Sequence, residues 1–378
     1  MKVGIVTQPL GNNYGGLLQN YALQTVLKRM GFEPVTLDQP IFKPRSIINI
    51  ILVTIKDVLK NSIKVVLHKG TVQELTYKRE KRTSKIGVNT QKFIDHNINK
   101  SPKLYGKEAE YRYCIDNDIK SFVVGSDQVW RKEMNCRLPN SFLDFAVNIE
   151  GKKVAYAASF GIDTWNFDTN QTREIRHLIK NFNGVSCRES SGVKLCNDYL
   201  CIKAELVLDP TMLLNKEDYL NLIKKESNQN VNSHRLFTYI LDRNESKDKI
   251  VKQVSKDKNL EAFSISVYGD NKTTKESVPV EEWLNAFYTS DFVICDSFHA
   301  AVFSIIFNKD FIVLSNEERG NARFLSLLKL FNLERRLISD ITELSIVNEP
   351  INWELVNQKR FEMKKKSMNF LSLNLQLD

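Results

Sequence analysis

Short apolar segments alternate with amphipathic helical patterns along most of this chain, and no other feature of the sequence constrains the fold as strongly. The predicted strands are Lys2–Thr7, Pro34–Leu37, Ser121–Val124, Lys153–Ala157, Val185–Cys187, Glu205–Leu208, Arg235–Leu241, Glu261–Val267, Phe292–Cys295 and Phe311–Leu314. Strands that alternate with helices are typical of parallel, doubly wound sheets. The pattern predicts an α/β protein, and 378 residues favour two α/β domains over one.

The predicted domain division follows this rhythm. We expect an N-terminal domain at 1–205, a C-terminal domain at 206–345 and a final helix at 346–378 that packs back across both domains. The strand that ends in Leu208-Asp209-Pro210-Thr211 is predicted to be the first of the second domain. Asp209 is interpreted there as a turn former.

A basic insertion interrupts the N-terminal domain at about 43–112. It holds sixteen Lys and Arg residues and six Asp and Glu residues, and this excess of ten exceeds the net charge of +9 of the whole chain. Apolar residues recur at helical spacing from Ile48 to Val66, with lysines at 56, 60 and 64. Two interpretations stay open: a helix packed on the domain with solvated lysines, or contact of residues 46–70 with an anionic membrane surface. No nucleic-acid-binding motif accompanies the charge, so nucleic acid is not expected as a partner.

His299 is the strongest candidate for a reaction centre. The apolar run Phe292–Cys295 precedes Asp296-Ser297-Phe298-His299, and small and apolar residues suited to a helix follow. This order predicts that His299 lies at the carboxyl end of a strand, where open α/β sheets bind their ligands. The first turn of a helix also offers unpaired N–H groups to an anion, and histidine can exchange a proton near neutral pH.

Two polar segments follow predicted strands of the N-terminal domain and are interpreted as a carbohydrate-binding side. The first comprises Asn12, Asn13, Tyr14 and Gly15, and the second comprises Ser126, Asp127, Gln128 and Trp130. Glycine lets a ligand approach the backbone, amides and carboxylates bind hydroxyls, and an aromatic ring can stack on a sugar. Each segment has a structural alternative: a tight turn for the first, and a helix cap with a core tryptophan for the second.

Three arginines near strand ends or helix starts are predicted anion ligands: Arg188, Arg319 and Arg323. A guanidinium fork suits a carboxylate or a phosphate, although an ion pair within the protein is the alternative for Arg188. The five histidines are scattered and no cysteine pair has metal-ligand spacing, so no metal site is expected. The first residues lead directly into a strand and do not resemble a signal peptide, which predicts a cytoplasmic location.

Taken in order, these segments resemble the polysaccharide pyruvyl transferase family. The resemblance rests on NNYGGLLQNYALQ (12–24), VVGSDQVW (123–130), YAASFG (156–161), SCRESSG (186–192), LDPT (208–211) and CDSFHAAVFS (295–304). It implies a fold similar to GT-B glycosyltransferases, with two Rossmann-like domains facing each other across a cleft. It also implies transfer of the enolpyruvyl group of phosphoenolpyruvate to a sugar as a pyruvate ketal, with release of phosphate and no cofactor.

The resemblance implies that His299 is the general acid/base and that the acceptor is a surface polysaccharide or a lipid-linked precursor. One position departs from the pattern, because Ser297 stands where some family members have arginine. Arg319 or Arg323 is expected to substitute for it in donor binding, or else the donor differs. A GT-B glycosyltransferase that uses a nucleotide sugar is therefore the alternative function.

Overall fold

The computed structural model describes residues 1–40, 47–66, 75–78, 85–135, 137–224, 234–265, 276–316 and 320–376. Within these residues the chain forms two parallel sheets with helices on their faces, which confirms the predicted fold class. The sheets are built from strands whose described side chains are largely buried and apolar, as expected for sheets that are covered on both faces.

Six described strands form the first sheet in the order β2-β1-β3-β4-β5-β6. They are β1 (Lys2–Val6), β2 (Glu33–Thr36), β3 (Ser121–Val124), β4 (Lys153–Ala158), β5 (Gly184–Cys187) and β6 (Glu205–Leu206). The associated helices are α1 (Tyr14–Arg29), α2 (Ile47–Val66), α3 (Val88–Asn97), α4 (Lys107–Asp116), α5 (Thr169–Ile179) and α6 (Ser190–Leu195).

Five described strands form the second sheet in the order β11-β10-β9-β7-β8. They are β7 (Arg235–Tyr239), β8 (Glu261–Ser264), β9 (Phe292–Cys295), β10 (Asp310–Leu314) and β11 (Leu337–Ile338). The helices of this part are α7 (Lys216–Lys224), α8 (Glu245–Lys258), α9 (Val280–Thr289), α10 (Phe298–Ile306) and α11 (Ala322–Leu330), and α12 (Trp353–Leu375) follows.

The prediction that the strand before Asp209 opens the second domain is wrong. That strand, β6, pairs in parallel with β5 through Ser186 opposite Glu205 and Cys187 opposite Leu206. It is therefore the edge of the first sheet, and it crosses the predicted boundary at 205/206. A short apolar run followed by Asp-Pro looks the same in sequence whichever sheet it joins, because the pairing depends on distant residues.

Strand β4 ends in an irregularity beside the carboxyl edge of the sheet. Its register against β5 shifts between Ala155 and Ala158, and Ala157 has a φ of +52°. The Ser186 hydroxyl compensates for the interrupted ladder: it accepts the N–H of Ala157 at 3.1 Å and donates to the carbonyl of Ala155 at 3.0 Å. A bulge of this kind redirects the chain at the end of a strand.

Helix α12 returns from the second sheet and packs on the first. The Phe370 ring lies 6.3 Å from that of Tyr156 in β4, and the Ser367 hydroxyl accepts the N–H of Leu208 at 2.9 Å. The Tyr156 hydroxyl donates to the Leu208 carbonyl at 2.9 Å, so β4, the segment after β6 and α12 form one buried unit.

The predicted helix in the basic insertion is present as α2, which lies between β2 and β3 in the chain. Its lysines at 56 and 60 are exposed. No helix among the described residues combines the length and apolarity that a membrane span needs.

The packing of α12 predicts unequal effects for two phenylalanines of the same helix. Phe370 is 3% exposed and Phe361 is 69% exposed. We expect Phe370→Ala to lower the free energy of unfolding by about 3–5 kcal/mol, because it leaves a cavity against β4. The matched Phe361→Ala should change it by no more than about 0.5 kcal/mol, as measured by urea unfolding. Equal effects of the two substitutions would contradict the packing of α12 described above.

Candidate active site

A cavity of about 190 Å³ lies where strands of both sheets end. Residues that follow β1 and β3 line one side, and residues that follow β7 and β9, with the start of α11, line the other. The polar and charged lining groups are Gln8, Asn12, Asn13, Asp127, Gln128, Asp296, Ser297, His299 and Arg323. Ligands of open α/β sheets bind at this edge, so the cavity is the candidate active site.

His299 lies in the first turn of α10, directly after β9, as the sequence predicts. Its side chain is 8% exposed, and Nε2 lies 3.5 Å from Oδ2 of Asp209. Nε2 is buried and has no hydrogen-bond partner among the described residues. The imidazole belongs to the second domain, and the Asp209 carboxylate beside it follows the last strand of the first sheet. Nε2 of His299 is therefore available for a proton transfer.

Gly15 in the first turn of α1 makes room for this imidazole. A methyl group placed on Gly15 would overlap the ring of His299 at Nδ1 and Cγ. Glycine is needed here because α1 and α10 approach closely across the cleft. The sequence suggests Gly15 as a place for a ligand, whereas the group that approaches it in the structure is a side chain of the other domain.

Asp209 is the centre of a buried polar network. Its Oδ2 accepts hydrogen bonds from Ser126 Oγ and Arg188 Nη1, both at 3.0 Å. Its Oδ1 accepts from the Thr211 N–H at 3.1 Å and from the Thr211 hydroxyl at 2.8 Å. Burial alone would raise the pKa of Asp209, but His299, Arg188 and Thr211 hold it well below the ordinary value, so the group is a carboxylate.

The turn-forming role predicted for Asp209 is present in its bonds to Thr211. Asp209 also joins Ser126, Arg188 and His299 in one network, which the sequence does not predict. Two of its other partners, Ser126 and His299, lie far from it in the sequence. No local pattern could reveal them.

Arg188 is a structural cation and not a free anion ligand, contrary to the prediction. Its side chain is fully buried, and its two terminal nitrogens donate to Asp209 at 3.0 Å and to Asp127 at 3.1 Å. The guanidinium also lies 4.3 Å from the centre of the Phe298 ring. Both ends of the fork are occupied by carboxylates, and the predicted alternative of an internal ion pair is the one observed.

Arg323 is a buried cation that has no carboxylate partner within the described part of the chain. It lines the cavity from the first turn of α11 with 7% exposure, and its Nε has no hydrogen-bond partner there. Burial, with a further contribution from Arg188, lowers its pKa to about 10, although the carboxylates of Asp127 and Glu189 act in the opposite direction. A cation that is held without a partner in a cleft is a candidate anion ligand.

Ser297, the residue before α10, also lines the cavity, and its side chain does not cap the helix. Arg319 lies outside the described residues. Its predicted role as an anion ligand therefore stays a prediction.

Most of the predicted carbohydrate side does line the cavity. Asn13 Nδ2 donates to Asp127 at 3.2 Å, Asn12 Oδ1 accepts from Thr90 at 3.0 Å, and the Gln128 side chain accepts from Arg131 at 2.7 Å. Ser126 differs, since its fully buried hydroxyl is bound to Asp209. Sugar contact by the remaining residues stays a prediction.

Trp130 and Tyr14 belong to the core and not to the cleft, so their predicted contact with a sugar is wrong. Trp130 is completely buried, stacks on Phe142 at 5.0 Å and donates Nε1–H to the Ser141 carbonyl. Tyr14 is 1% exposed and donates its hydroxyl to the Val278 carbonyl at 2.6 Å. A polar group that is satisfied inside a core leaves no reason for the ring to face solvent.

Two acidic residues of the site are not among the predicted ones. Glu189 is buried, accepts the N–H of Phe160 at 3.0 Å and lies 3.7 Å from Nε of Arg188. Asp296 accepts the N–H of Leu241 at 2.6 Å and the Lys247 ammonium at 2.8 Å, which ties the loop after β7 to the loop after β9. Glu189 follows the predicted residue Arg188, and Asp296 precedes the predicted residue Ser297. Their positions at strand ends are the feature of the sequence from which they could have been predicted.

Two parallel-sheet domains that meet at a polar cleft define a GT-B-like α/β fold, and solved structures share this fold. The UDP-GlcNAc 2-epimerase from Neisseria meningitidis, solved with UDP-GlcNAc, has a TM-score of 0.52 at 8% identity, with 99% of this chain and 100% of that chain covered. Arabidopsis thaliana UGT89C1, complexed with UDP-L-rhamnose, has a TM-score of 0.51 at 7% identity, with 99% of each chain covered.

The sequence identifies the family within this class. The family model of the polysaccharide pyruvyl transferases matches residues 13–318, and the chain belongs to this family. The protein is accordingly a transferase. No curated protein matches the sequence.

The close contact of α1 with α10 predicts that Gly15→Ala displaces His299. We expect the ring signals of His299 in a two-dimensional NMR spectrum to shift, because the added methyl group overlaps the imidazole. The overall fold should persist, since alanine favours a helix over glycine by about 1 kcal/mol. The matched control is Gly11→Ala, whose methyl group would meet only the Pro9 carbonyl, at 3.9 Å. His299 signals that stay in place in Gly15→Ala would refute the contact.

Proposed function

We propose that the protein transfers the enolpyruvyl group of phosphoenolpyruvate to two hydroxyls of a sugar, in a surface polysaccharide or its lipid-linked precursor. The product is a pyruvate ketal, and inorganic phosphate is released. The observation that carries this proposal is that a buried arginine with no ion-pair partner among the described residues, Arg323, and a buried histidine, His299, line one cavity. Such a pair supplies what an anionic donor and a proton-coupled addition require.

The reaction balances with the protons of the two hydroxyls. The first hydroxyl adds to C2 of the enol phosphate and loses a proton, while C3 gains a proton and becomes a methyl group. The second hydroxyl then replaces the phosphate at C2, and its proton leaves with the phosphate. His299 is assigned as the general acid/base that moves protons between the hydroxyls, C3 and the leaving group.

The charges around the cavity support this role for His299. Asp127, Glu189, Asp209 and Asp296 carry four formal negative charges, while Arg188, Arg323 and Lys247 carry three positive charges. With a neutral imidazole the set carries one net negative charge, and protonation of His299 removes it. The buried carboxylate of Asp209 at 3.5 Å is placed to stabilise the imidazolium when the ring takes up a proton.

Donor and acceptor are assigned to opposite sides of the cleft. The carboxylate and phosphate of phosphoenolpyruvate suit the second domain, where Arg323, Ser297 and the first turn of α10 lie. The sugar suits the first domain, where Asn12, Asn13 and Gln128 line the cavity. We assign no cofactor to the reaction.

A nucleotide-sugar transferase is the second candidate function. It is favoured by Ser297, which leaves the donor side with fewer cations than the family pattern suggests, and by the fold shared with proteins solved with UDP-sugars. The two functions differ in their leaving group. Inorganic phosphate released from phosphoenolpyruvate supports the first, and nucleoside diphosphate released from a UDP- or GDP-sugar supports the second.

The mechanism predicts that His299→Ala lowers kcat for phosphate release from phosphoenolpyruvate by about a hundredfold to ten-thousandfold, because a general acid/base contributes that much. The assay uses hexosides with free hydroxyl pairs as acceptors and detects phosphate by its molybdate complex. His177→Ala is the control, since His177 is exposed on α5 and far in sequence from the cleft residues. Full activity of His299→Ala with an intact fold would exclude this mechanism.

Donor binding isolates the role of Arg323. We expect Arg323→Ala to weaken the binding of phosphoenolpyruvate by about ten- to a hundredfold in titration calorimetry, because a charge-assisted contact is worth roughly 1.5–3 kcal/mol. Arg112→Ala removes the same charge from an exposed site whose partner is Glu108, and should leave binding unchanged. Equal affinity of the Arg323→Ala and wild-type proteins would remove Arg323 from the donor site.

A further inference from the structure

Helix α2 exposes its apolar face to solvent. Five residues, Ile51, Leu52, Ile55, Val58 and Leu59, are 54%, 57%, 52%, 47% and 58% exposed, respectively. At about 100° per residue these positions occupy one continuous arc of the helix. A contiguous exposed apolar surface marks an interaction site more often than isolated exposed residues do.

The opposite face of α2 is partly polar and less exposed than the arc. Ile50, Val53, Asp57 and Asn61 on this face are half-exposed. Asp57 accepts the N–H of Thr76 at 2.8 Å, which holds the helix to a neighbouring described segment. In an amphipathic helix of a globular protein the apolar side normally packs on the core, whereas the arc from Ile51 to Leu59 is exposed.

Two exposed lysines border the apolar arc. Lys56 and Lys60 follow Leu52 around the helix and lie between the apolar arc and the polar face. Long lysine side chains at such a border can reach the charged surface of a bilayer while the neighbouring apolar groups enter it. The surrounding stretch, residues 43–112, has an excess of ten positive charges.

We propose that α2 docks the protein on the surface of an anionic lipid bilayer, with its axis in the membrane plane and the arc from Ile51 to Leu59 inserted among the lipids. This refines the two interpretations of the basic helix. Lys56 and Lys60 are solvated, as expected for a helix packed on the domain. The residues of the arc, however, do not pack on the described part of the domain, which contact with a membrane explains.

Charge favours a membrane over a second copy of the chain as the occupant of this face. Two copies that paired through the arc would bring their bordering lysines and their basic insertions together, and like charges oppose such contact. An anionic bilayer instead offers negative charge next to an apolar phase.

The docking does not depend on the proposed reaction. If the acceptor is lipid-linked, which rests on the proposed function, the helix would bring the transferase to the membrane that holds its acceptor. Vesicle binding and phosphate release are measured separately, so either proposal can fail while the other stands.

Vesicle flotation of the full chain tests the docking. We expect the protein to float with vesicles of equimolar phosphatidylglycerol and phosphatidylcholine, and to float far less with phosphatidylcholine alone. The double substitution Leu52→Glu and Leu59→Glu should weaken partitioning at least about tenfold, because it places charges in the inserted arc. Lys56→Gln and Lys60→Gln should each weaken it by about fivefold and reduce its dependence on salt.

The matched control places the same two charges elsewhere. Phe361→Glu and Leu373→Glu change side chains of α12 that are 69% and 67% exposed, and should leave vesicle binding unchanged. Circular dichroism and the Tm establish that each variant is folded. Failure of the wild-type protein to bind anionic vesicles would overturn the proposal. So would equal binding by the α2 glutamate variant, or a dimer in sedimentation that this variant abolishes.

Discussion

The buried ion network of Arg188 is the interaction on which the rest of the site depends. One guanidinium at the end of β5 joins Asp127, which follows β3, to Asp209, which follows β6. It also lies over the ring of Phe298, the residue before His299. Burying these charges is costly unless each has partners, and the network supplies them from three strand ends. The result is a buried network that holds three strand ends of the first sheet in place beside the cleft.

The two buried arginines of the site differ in their partners. Arg188 has the carboxylates and Arg323 has none among the described residues, although both guanidiniums lie near the same Phe298 ring. Burial and the neighbouring Arg188 lower the pKa of Arg323, while Asp127 and Glu189 act in the opposite direction. An anion in direct contact with the guanidinium would offset part of its burial cost.

The sequence was sufficient for the fold class, for most strands and for the position of His299, because these follow from local apolar patterns and from helix starts. It was insufficient wherever a distant partner decides the outcome. Trp130 and Arg188 stand in polar strand-end segments, yet each is buried by partners that adjacent residues do not reveal. The role of β6 as the edge strand of the first sheet, and of Asp209 as a hub, likewise depends on pairings across the fold.

The return of α12 to the first sheet has a mechanical consequence. The chain passes from the first sheet to the second after β6, and it returns between β11 and α12, where Phe370 meets Tyr156. Two covalent connections restrain the motion of two domains more than a single connection does. The line through the two connections acts as a hinge axis, because sliding or twisting about other axes would strain the backbone. An opening of the cleft would therefore be a rotation of one domain about this axis. His299 packs on Gly15 of the other domain, so opening of the cleft would separate the imidazole from this glycine. Closure would restore the contact.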